Sequence, residues 1–323
     1  MPQCKMLNSK KHIVIVGPTA SSKSSIAITL AQHFNNQPII SLDSMQIYKG
    51  FEIGTGVIPA DERKNIEHHM LSFQDPTESY NAKKFSDQVN KILNTNENKF
   101  ILVGGTGLYT HGIIDGFNFA PTDETIRQNI IEKYELDENN PNLEKVEIAY
   151  KKLQEQDPVS AEKIDMLNVR RIIRAFEVME ITGENFSQTF KENGVQTFGE
   201  PKLDCEIVGI RYTRENLKER IEIRIREMFE TGWIDEVKKL LPIWEQIVAP
   251  AQNAIGYKQI KEYVENGEDE EEFEHLIELI LNKSMQFSRR QRKWFERDPR
   301  ISWINCDDIT YDEMIERAIF LCT

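Results

Sequence analysis

The sequence predicts an α/β protein: a parallel sheet with helices on both faces and a helical insertion in the middle of the chain. Short apolar runs with the character of β-strands alternate with helical patterns over the first 105 residues, and such alternation is typical of parallel sheets. Between roughly residues 120 and 199 the strand pattern is absent and apolar residues recur at helical spacing, which predicts the insertion.

The predicted elements follow one another in an order that divides the chain into two parts. Strands are predicted at His12–Gly17, Pro38–Asp43, Lys99–Gly105, Cys205–Ile210 and Ile301–Asn305, and helices at Ser22–Phe34, Ala82–Thr95, Arg214–Met228 and Glu270–Arg297. In the insertion, an apolar stripe consists of Ile164, Ile172, Phe176 and Met179. Pro121 and the Gly199–Pro201 segment mark hinges. We therefore expect a core of residues 1–119 and 200–323 and a helical unit of residues 120–199.

Length and composition restrict the class of protein. A chain of 323 residues with 39% hydrophobic and 29% charged residues is globular and can form a large core with a smaller unit. No apolar run approaches the roughly 20 residues that span a bilayer, and no signal peptide is visible. The four cysteines lack metal or disulfide spacing, so a cytoplasmic setting is expected. The formal net charge of -13 argues against indiscriminate nucleic-acid binding, so any RNA contact must use local basic patches.

The turn after the first strand has the pattern of a phosphate-binding loop. It reads GPTASSKS and comprises Gly17, Pro18, Thr19, Ala20, Ser21, Ser22, Lys23 and Ser24. Loop N–H groups and a helix N-terminus donate to a pyrophosphate, Lys23 adds a charge, and the Ser24 hydroxyl can ligate a magnesium ion held by the phosphates. Ser22 stands where the usual pattern has glycine, and it either crowds the phosphate or is harmless if its dihedrals are already helical. A plain strand-to-helix turn is the alternative interpretation.

Two further strand ends carry candidate functional residues. Asp43 ends the second strand, and because strand carboxyl ends face the ligand crevice of a parallel sheet, it should point toward the same pocket as the phosphate loop. A carboxylate there can act as a general base, whereas a turn cap is the alternative role. The third strand ends in GGTGLY, whose glycines permit close backbone approach and whose Thr106 adds a hydroxyl.

Two later helices carry basic residues beside apolar faces. Arg220 and Arg224 lie four residues apart on one face of the helix that begins at Arg214. Either arginine could simply be solvated, and this interpretation is favoured for Arg224. On the last long helix, Phe287, Gln291 and Trp294 share a face surrounded by basic residues. That face either stacks on an RNA base or belongs to the core.

The order of these motifs resembles one family, the tRNA dimethylallyltransferases, also called isopentenyl-tRNA transferases. The matching segments are GPTASSKS at 17–24, DSMQIYKGFEIGTG at 43–56, HHM at 68–70, SYNAKKF at 79–85, LVGGTGLYTHGIIDG at 102–116, RRIIRAFEVMEITG at 170–183, RENLKERIEIRIREM at 214–228, AIGYKQ at 254–259 and FSRRQRKWF at 287–295. A phosphate loop alone would be weak evidence, whereas this ordered set is specific.

The resemblance implies a P-loop NTPase-like core and a magnesium-dependent transfer of a dimethylallyl group from dimethylallyl pyrophosphate to the N6 amine of adenosine 37, beside the anticodon of a tRNA. By the same resemblance, Asp43 is the general base, Thr106 contacts a substrate, Lys23 and Arg220 bind pyrophosphate, and Arg171 is an essential basic residue. A cytoplasmic monomer is expected. The positions that match tRNA contacts of the family are Asp43, Ser44, Met45, Gln46, Thr106, Arg127, Arg170, Arg171, Ile172, Ile173, Arg174, Asn253, Ala254, Ile255, Gly256, Tyr257 and Lys258.

The chain departs from the family pattern at four positions. Ser22 replaces the loop glycine, Val57 replaces a lysine, Asn168 replaces an aspartate, and Met285 replaces an arginine. Each change removes a charge or adds bulk at an expected phosphate or RNA contact. No C-terminal Cys/His zinc module is visible, which favours a bacterial-type enzyme.

Two other functions are compatible with these motifs. A small-metabolite or nucleotide kinase also needs a phosphate loop and an acidic residue on the second strand. The GGTG turn, where many ATP-hydrolysing proteins have an acidic residue, and the basic RRIIR cluster favour the transferase. A non-catalytic tRNA-binding paralogue is the second alternative, because Ser22, Val57 and Met285 depart from the family pattern.

Overall fold

The computed structural model describes residues 11–95, 98–138, 140–192 and 198–323. Within these residues the core contains a six-stranded sheet in the order β3-β2-β4-β1-β5-β6, and every pair of neighbouring strands is parallel. The strands are β1 (His12–Val16), β2 (Ile39–Ser41), β3 (His68–His69), β4 (Ile101–Gly104), β5 (Cys205–Arg211) and β6 (Ser302–Asn305). The predicted parallel α/β fold is therefore confirmed.

Helices connect and cover the strands. Their bounds are α1 (Lys23–His33), α2 (Glu52–Thr55), α3 (Ala82–Thr95), α4 (Gly107–Ile114), α5 (Glu124–Tyr134), α6 (Leu143–Gln156), α7 (Pro158–Lys163), α8 (Val169–Thr182), α9 (Phe186–Glu192), α10 (Arg214–Glu230), α11 (Trp233–Leu240), α12 (Ala249–Gln252), α13 (Tyr257–Glu265), α14 (Phe273–Phe295) and α15 (Tyr311–Cys322). Short 3-10 helices occupy Ala60–Arg63, Leu241–Gln246 and Glu270–Glu272. The long helix predicted from Glu270 therefore begins with a 3-10 turn, and its α-helical part starts at Phe273. No helix in this described part is long and apolar enough to cross a membrane.

Successive side chains of β1 point to opposite faces of the sheet and belong to two different apolar clusters. Ile13 and Ile15 belong to the cluster that includes α1 and α15. Val14 and Val16 belong to the other cluster, which includes residues of α3, α10 and α14. All four side chains are fully buried, as expected for a central parallel strand covered on both faces.

The register of the sheet brings three chain segments to one edge. Val16 is aligned with Gly104 of β4 and with Gly209 of β5, and Ser41 is aligned with Val103. The phosphate loop, the segment that contains Asp43 and the GGTG turn therefore leave the sheet at the same edge. This is the edge at which open α/β sheets bind their ligands.

Chain contacts divide the protein into two compact units, one formed by the residues up to Gly116 and from Glu200 onward, the other by Phe117–Gly199. The second unit contains α5 to α9 and has its own apolar core. Tyr134 and Phe176 stack in this core with ring centroids 5.0 Å apart. Ile164, Ile172 and Phe176 are buried there, as their helical spacing predicted.

Candidate active site at the carboxyl edge of the sheet

The phosphate loop joins β1 to α1 through a sequence of unusual backbone angles. Gly17 has φ 153°, and a Cβ at this position would lie 2.6 Å from the carbonyl oxygen of Ile210, so only glycine fits. Ala20 and Ser22 both adopt left-handed angles, with φ of 58° and 61°. Ser22 is therefore not in the helical conformation that would have made its side chain harmless. It keeps the left-handed conformation that a glycine adopts readily, at a cost of about 1 kcal/mol.

Arg220 of α10 holds this loop from the side. Its Nε donates to the carbonyl oxygen of Ala20 at 3.0 Å, and its Nη2 donates to the Ser22 hydroxyl at 2.5 Å. The guanidinium also lies 4.6 Å from the ring centroid of Tyr212. The Ser22 hydroxyl, which a glycine would lack, is thus a partner of the arginine that was predicted to bind pyrophosphate. The interpretation of Arg220 as a merely solvated residue is wrong.

Lys23 folds back onto the loop. Its Nζ donates to the carbonyl oxygen of Pro18 at 2.5 Å and lies 3.4 Å from the Ser21 hydroxyl. Burial lowers the pKa of Lys23 to about 7, with the charge of Arg224 acting in the same direction and that of Asp43 opposing it. An ammonium group in this setting would gain strongly from an anion bound in the loop.

Arg224, one helical turn beyond Arg220, contributes a second guanidinium. A Cβ on Gly56, which has φ 66°, would lie 1.7 Å from its Nη2, so the guanidinium packs directly on this glycine. Arg224 is half-buried, and burial lowers its pKa against the opposing charges of Asp43 and Glu227. Among the described residues it has no hydrogen-bond or ion-pair partner. Arg224 is therefore more buried than the prediction of a solvated surface arginine implies, and it lines the same cleft as Ala20–Ser25.

Asp43 has two roles in the geometry. Its Oδ1 accepts the backbone N–H of Met45 at 2.8 Å and that of Gln46 at 3.4 Å, so the turn-cap interpretation is correct for one oxygen. Its negative charge also partly offsets the lowering of the pKa of Lys23 and of Arg224, so the carboxylate acts electrostatically on both cations. The turn-cap role and the general-base role of Asp43 are therefore compatible, because a carboxylate has a second oxygen that can accept a proton.

Thr106 lies beside the Asp43 turn. Its Oγ1 accepts the backbone N–H of Ser44 at 3.1 Å and donates to the Ser44 hydroxyl at 3.3 Å. The GGTG turn and the segment after β2 are thus joined through two hydroxyl side chains. The two predicted contact residues, Ser44 and Thr106, lie together in the structure.

The phosphate loop contributes residues to a larger and a smaller cleft. One has a volume of about 1070 Å³ and contains Ala20–Ser25, Glu52, Ile53, residues 56–60 and the α10 residues Arg220, Ile223, Arg224, Glu227 and Met228. The other, of about 840 Å³, contains Gly17 and Pro18 together with the basic residues Arg211, Arg214, Arg289, Arg292 and Lys293. Asp43 and Thr106 line neither of these two clefts, so neither cleft confirms the prediction that Asp43 shares a pocket with the phosphate loop. The loop lies between a mixed polar and apolar cleft and a strongly basic one.

A buried carboxylate fixes the wall of the larger cleft. Glu236 of α11 accepts the backbone N–H groups of Ile53 at 2.7 Å and Gly54 at 3.0 Å, and the hydroxyl of Tyr257 at 2.6 Å. Burial raises the pKa of Glu236, while these donors oppose the shift. Cβ atoms on Gly54 and Gly256 would lie 2.1 Å and 2.2 Å from atoms of the same indole, that of Trp233. The segment from α2 to Gly56 is therefore held from behind by α11 and α13.

Several residues that were predicted to contact tRNA have buried side chains in the core unit. Tyr257 is fully buried and Ala254 is 5% exposed. The amide of Gln46 bonds within the protein: Nε2 donates to the carbonyl oxygens of Thr55 at 3.2 Å and Gly56 at 3.1 Å, and Oε1 accepts from Ser41. The prediction that the side chains of Tyr257 and Ala254 contact RNA directly is wrong, because both side chains belong to the core. Of the same group, Met45, Ile255 and Lys258 are half-buried, Gly256 is buried and Asn253 is exposed.

The helical unit shows the same division between exposed and inward-facing candidates. Arg170 and Arg171 are exposed in the first turn of α8. Ile172 and Ile173 are fully buried, so the prediction that they touch RNA is wrong for their side chains. Arg174 donates to the carbonyl oxygens of residues 120 and 121, and Arg127 pairs with glutamates 138 and 177. Asn168, the departure from aspartate, accepts the N–H of Arg171 at 3.2 Å and caps the helix, a role that both residue types perform.

The predicted aromatic face of α14 packs on the GGTG turn. A Cβ on Gly105 would lie 2.2 Å from Nε2 of Gln291, and one on Gly107 would lie 2.2 Å from the indole of Trp294. The close backbone approach predicted for these glycines is therefore present, and side chains of α14 make it at both positions. Of the two interpretations of this helix face, the structure supports core packing for Gln291 and Trp294. The spacing of residues along α14 could not predict these contacts, because the partners are more than 180 residues apart in the sequence.

The sheet topology, the loop between β1 and α1 and the cations around it define a core of the P-loop class. Comparison with known proteins identifies the family within this class. A family model described as IPP transferase matches residues 46–298. The chain is 36% identical over 309 residues to a tRNA dimethylallyltransferase of Heliobacterium modesticaldum, covering 94% of this chain and 92% of that protein. It is 37% identical over 306 residues to one of Bacillus mycoides, covering 93% and 91%.

Solved structures give the same result. The crystal structure of the full-length tRNA isopentenylpyrophosphate transferase from Bacillus halodurans is 31% identical, with a TM-score of 0.66 over 97% of this chain and 95% of that chain. A eukaryotic dimethylallyltransferase described as acting on tRNA is 27% identical, with a TM-score of 0.77 over 96% of this chain and 78% of that chain. The protein belongs to the tRNA dimethylallyltransferase family.

Proposed function

We propose that the protein transfers a dimethylallyl group from dimethylallyl pyrophosphate to the N6 amine of adenosine 37 in tRNA, giving N6-dimethylallyladenosine and pyrophosphate. The observation that carries the proposal is that Lys23, Arg220 and Arg224 line one cleft together with the phosphate loop. The negative charge of Asp43 acts on Lys23 and on Arg224. A diphosphate leaving group and a proton-accepting base are what this transfer requires. The names of the relatives support the assignment of the two substrates.

The chemistry follows from the groups at the edge of the sheet. The exocyclic amine of adenine is a weak nucleophile because its lone pair is delocalised into the ring. A bond forms between this nitrogen and the primary carbon of the donor while the carbon–oxygen bond to the diphosphate breaks. The nitrogen loses its proton to Asp43, and the electrons of the breaking bond remain on pyrophosphate. Loop amides, Lys23, Arg220 and Arg224 stabilise the negative charge that develops there.

The acceptor base must leave its stack to reach these groups, since a base within an anticodon loop is not accessible to a crevice. The strongly basic cleft beside Gly17 and Pro18 has the charge that an RNA backbone requires. Exposed Arg170 and Arg171 in the helical unit would add phosphate contacts. A formal net charge of -13 makes such local patches necessary. We expect a monomer that acts in the cytoplasm, where tRNA is found.

A magnesium ion fits the donor set of this site. Ser24 lies in the first turn of α1 and lines the larger cleft, and hydroxyl and carboxylate oxygens are the ligands that magnesium prefers. Across the described ranges, no group of three histidine, cysteine or acidic side chains could hold a metal. Ser24 would therefore hold the ion together with the diphosphate oxygens. When bound, the ion would neutralise charge on the leaving group.

The direct test incubates purified protein with radiolabelled dimethylallyl pyrophosphate and an unmodified tRNA that has adenosine 37. We expect label in the tRNA and release of pyrophosphate. The matched control is the same tRNA with guanosine at position 37, which should remain unlabelled. ATP turnover with a small hydroxyl acceptor and no labelled tRNA would instead identify a kinase, and tight tRNA binding without transfer would identify a non-catalytic paralogue.

The low pKa of Lys23 predicts proton-linked donor binding. Above pH 7 the lysine of the empty site is increasingly neutral, whereas a bound diphosphate favours the ammonium form, so binding must take up a proton. Donor affinity should therefore weaken as pH rises above the lysine pKa, by up to about tenfold per pH unit, and level off below it. Calorimetric titrations from pH 6 to 9 would measure this slope.

Lys23→Arg is the matched control for that slope, because arginine keeps its charge throughout the range. The ratio of the wild-type to the variant dissociation constant removes the titration of the diphosphate itself. This ratio should rise with pH. A ratio that is constant from pH 6 to 9 would show that Lys23 is already charged in the empty site.

A further inference from the structure

Gln291 of α14 joins two loops of the site. The side chain is 5% exposed. Its Oε1 accepts the backbone N–H of Thr19, in the phosphate loop, at 2.9 Å. Its Nε2 donates to the carbonyl oxygen of Gly105, in the GGTG turn, at 3.0 Å. One buried amide therefore ties the turn after β1 to the turn after β4.

The two partners also fix the orientation of the amide. A backbone N–H can only donate and a carbonyl oxygen can only accept, so Oε1 must face Thr19 and Nε2 must face Gly105. A carboxylate at position 291 would keep the first bond and would turn the second into a contact between two acceptors. Glycine at position 105 is required by this approach, because a Cβ there would lie 2.2 Å from Nε2.

A second set of contacts holds this part of α14 against α4. The indole Nε1 of Trp294 donates to Nδ1 of His111 at 2.7 Å, and because an indole can only donate, Nδ1 is the unprotonated nitrogen. Nε2 of His111 then carries the proton and donates to the buried carboxylate of Asp298 at 2.8 Å. Although burial of Asp298 acts in the opposite direction, hydrogen bonds from His111 and Arg300 hold its pKa below the usual value. The helix that presents Gln291 is thus anchored three residues further along.

We propose that Gln291 is a positioning residue for the transfer, which aligns the phosphate loop that holds the donor with the GGTG turn that borders the acceptor side. This inference rests on the proposed function. On the acceptor side, Thr106 follows Gly105 directly and bonds to Ser44, the neighbour of Asp43. Without the Gln291 amide, the N–H of Thr19 and the carbonyl of Gly105 lose their partner, and the two sides of the site can shift relative to each other. Misplacement by about 1 Å can lower a rate a hundredfold.

Gln291→Met removes both hydrogen bonds and keeps a side chain of similar length. We expect kcat for transfer to fall by about 10- to 100-fold, while the dissociation constant for inorganic pyrophosphate changes by less than about fivefold. Hydrogen exchange in a peptide covering residues 17–24 should become faster. An exchange rate equal to that of the wild type, or a loss confined to the Michaelis constants, would contradict a positioning role. The exchange measurement needs no turnover, so it separates failure of this proposal from failure of the proposed function in the wild-type assay.

Gln291→Glu gives the sharper test because its second hydrogen bond depends on pH. The ionised variant cannot donate to Gly105, whereas the protonated variant can, and burial raises the pKa of such a carboxyl group. The ratio of variant to wild-type kcat should therefore rise by at least about fivefold as pH falls from 8 to 5.5. Gln246→Glu, the same change at the exposed end of the 3-10 helix Leu241–Gln246, should give a ratio near one at every pH. A pH-independent ratio for the position 291 variant would overturn the hydrogen-bond mechanism.

Discussion

Asp43→Asn is expected to lower kcat for transfer by at least about a hundredfold with tRNA affinity retained, since it removes the proton acceptor. Asparagine has the oxygen needed to accept the backbone N–H of Met45, so the turn after β2 should keep its shape. Single-turnover rates measure the chemical step, and filter binding measures tRNA affinity. The assay belongs at pH 6, because loss of the carboxylate also removes the charge that raises the pKa of Lys23.

Asp75→Asn is the matched control. Asp75 also caps a turn, with its Oδ1 accepting the backbone N–H of Thr77 at 2.9 Å, but that turn is exposed and distant from the loop in sequence. Its variant should transfer at the wild-type rate. A rate for Asp43→Asn within threefold of this control would remove Asp43 from the role of base.

Arg224→Ala is expected to lower kcat/KM for the donor by about a hundredfold or more, equivalent to about 3 kcal/mol of transition-state stabilisation. The guanidinium has no partner among the described side chains, so its interaction energy is available to the leaving group. Arg226→Ala is the matched control on the same helix. Arg226 is bound by Glu222 and Glu274 at the surface, and such exposed pairs contribute little. Equal effects of the two substitutions would argue against a pyrophosphate ligand at position 224.

The sequence was sufficient to predict five of the six strands and the turn between β1 and α1, because these depend on local patterns. It did not predict β3, because a strand of two residues has no detectable alternation. The strand β1 ends at Val16, one residue before the predicted end, and α3 has the predicted bounds. Interactions between distant segments were not predictable in the same way. Arg224 looked like any exposed helical arginine until the structure placed its guanidinium against Gly56.

The residues predicted to contact tRNA from the family motifs also differ in burial, which the sequence did not predict. A motif records which positions a family shares and does not distinguish a side chain that touches a substrate from one that supports such a side chain. Arg170 and Arg171 are exposed, whereas their neighbours Ile172 and Ile173 are fully buried. Tyr257 bonds to Glu236 behind the cleft wall. Burial, which requires the fold, is what separates the two kinds of position.

The indole of Trp233 restricts which residues can occupy two positions that lie far apart in the sequence. Gly54 and Gly256 contact this one ring so closely that an added methyl group at either would overlap it. Neither glycine can therefore acquire a side chain while the ring keeps its place. In the divergence of such chains, a side chain at 54 or at 256 requires a smaller residue at 233 first. Even then, Tyr257 lies 2.6 Å from a Cβ at position 54, and residue 256 has a left-handed φ of 96°. The three sites should accordingly mutate as a dependent set, and the order of the changes is constrained.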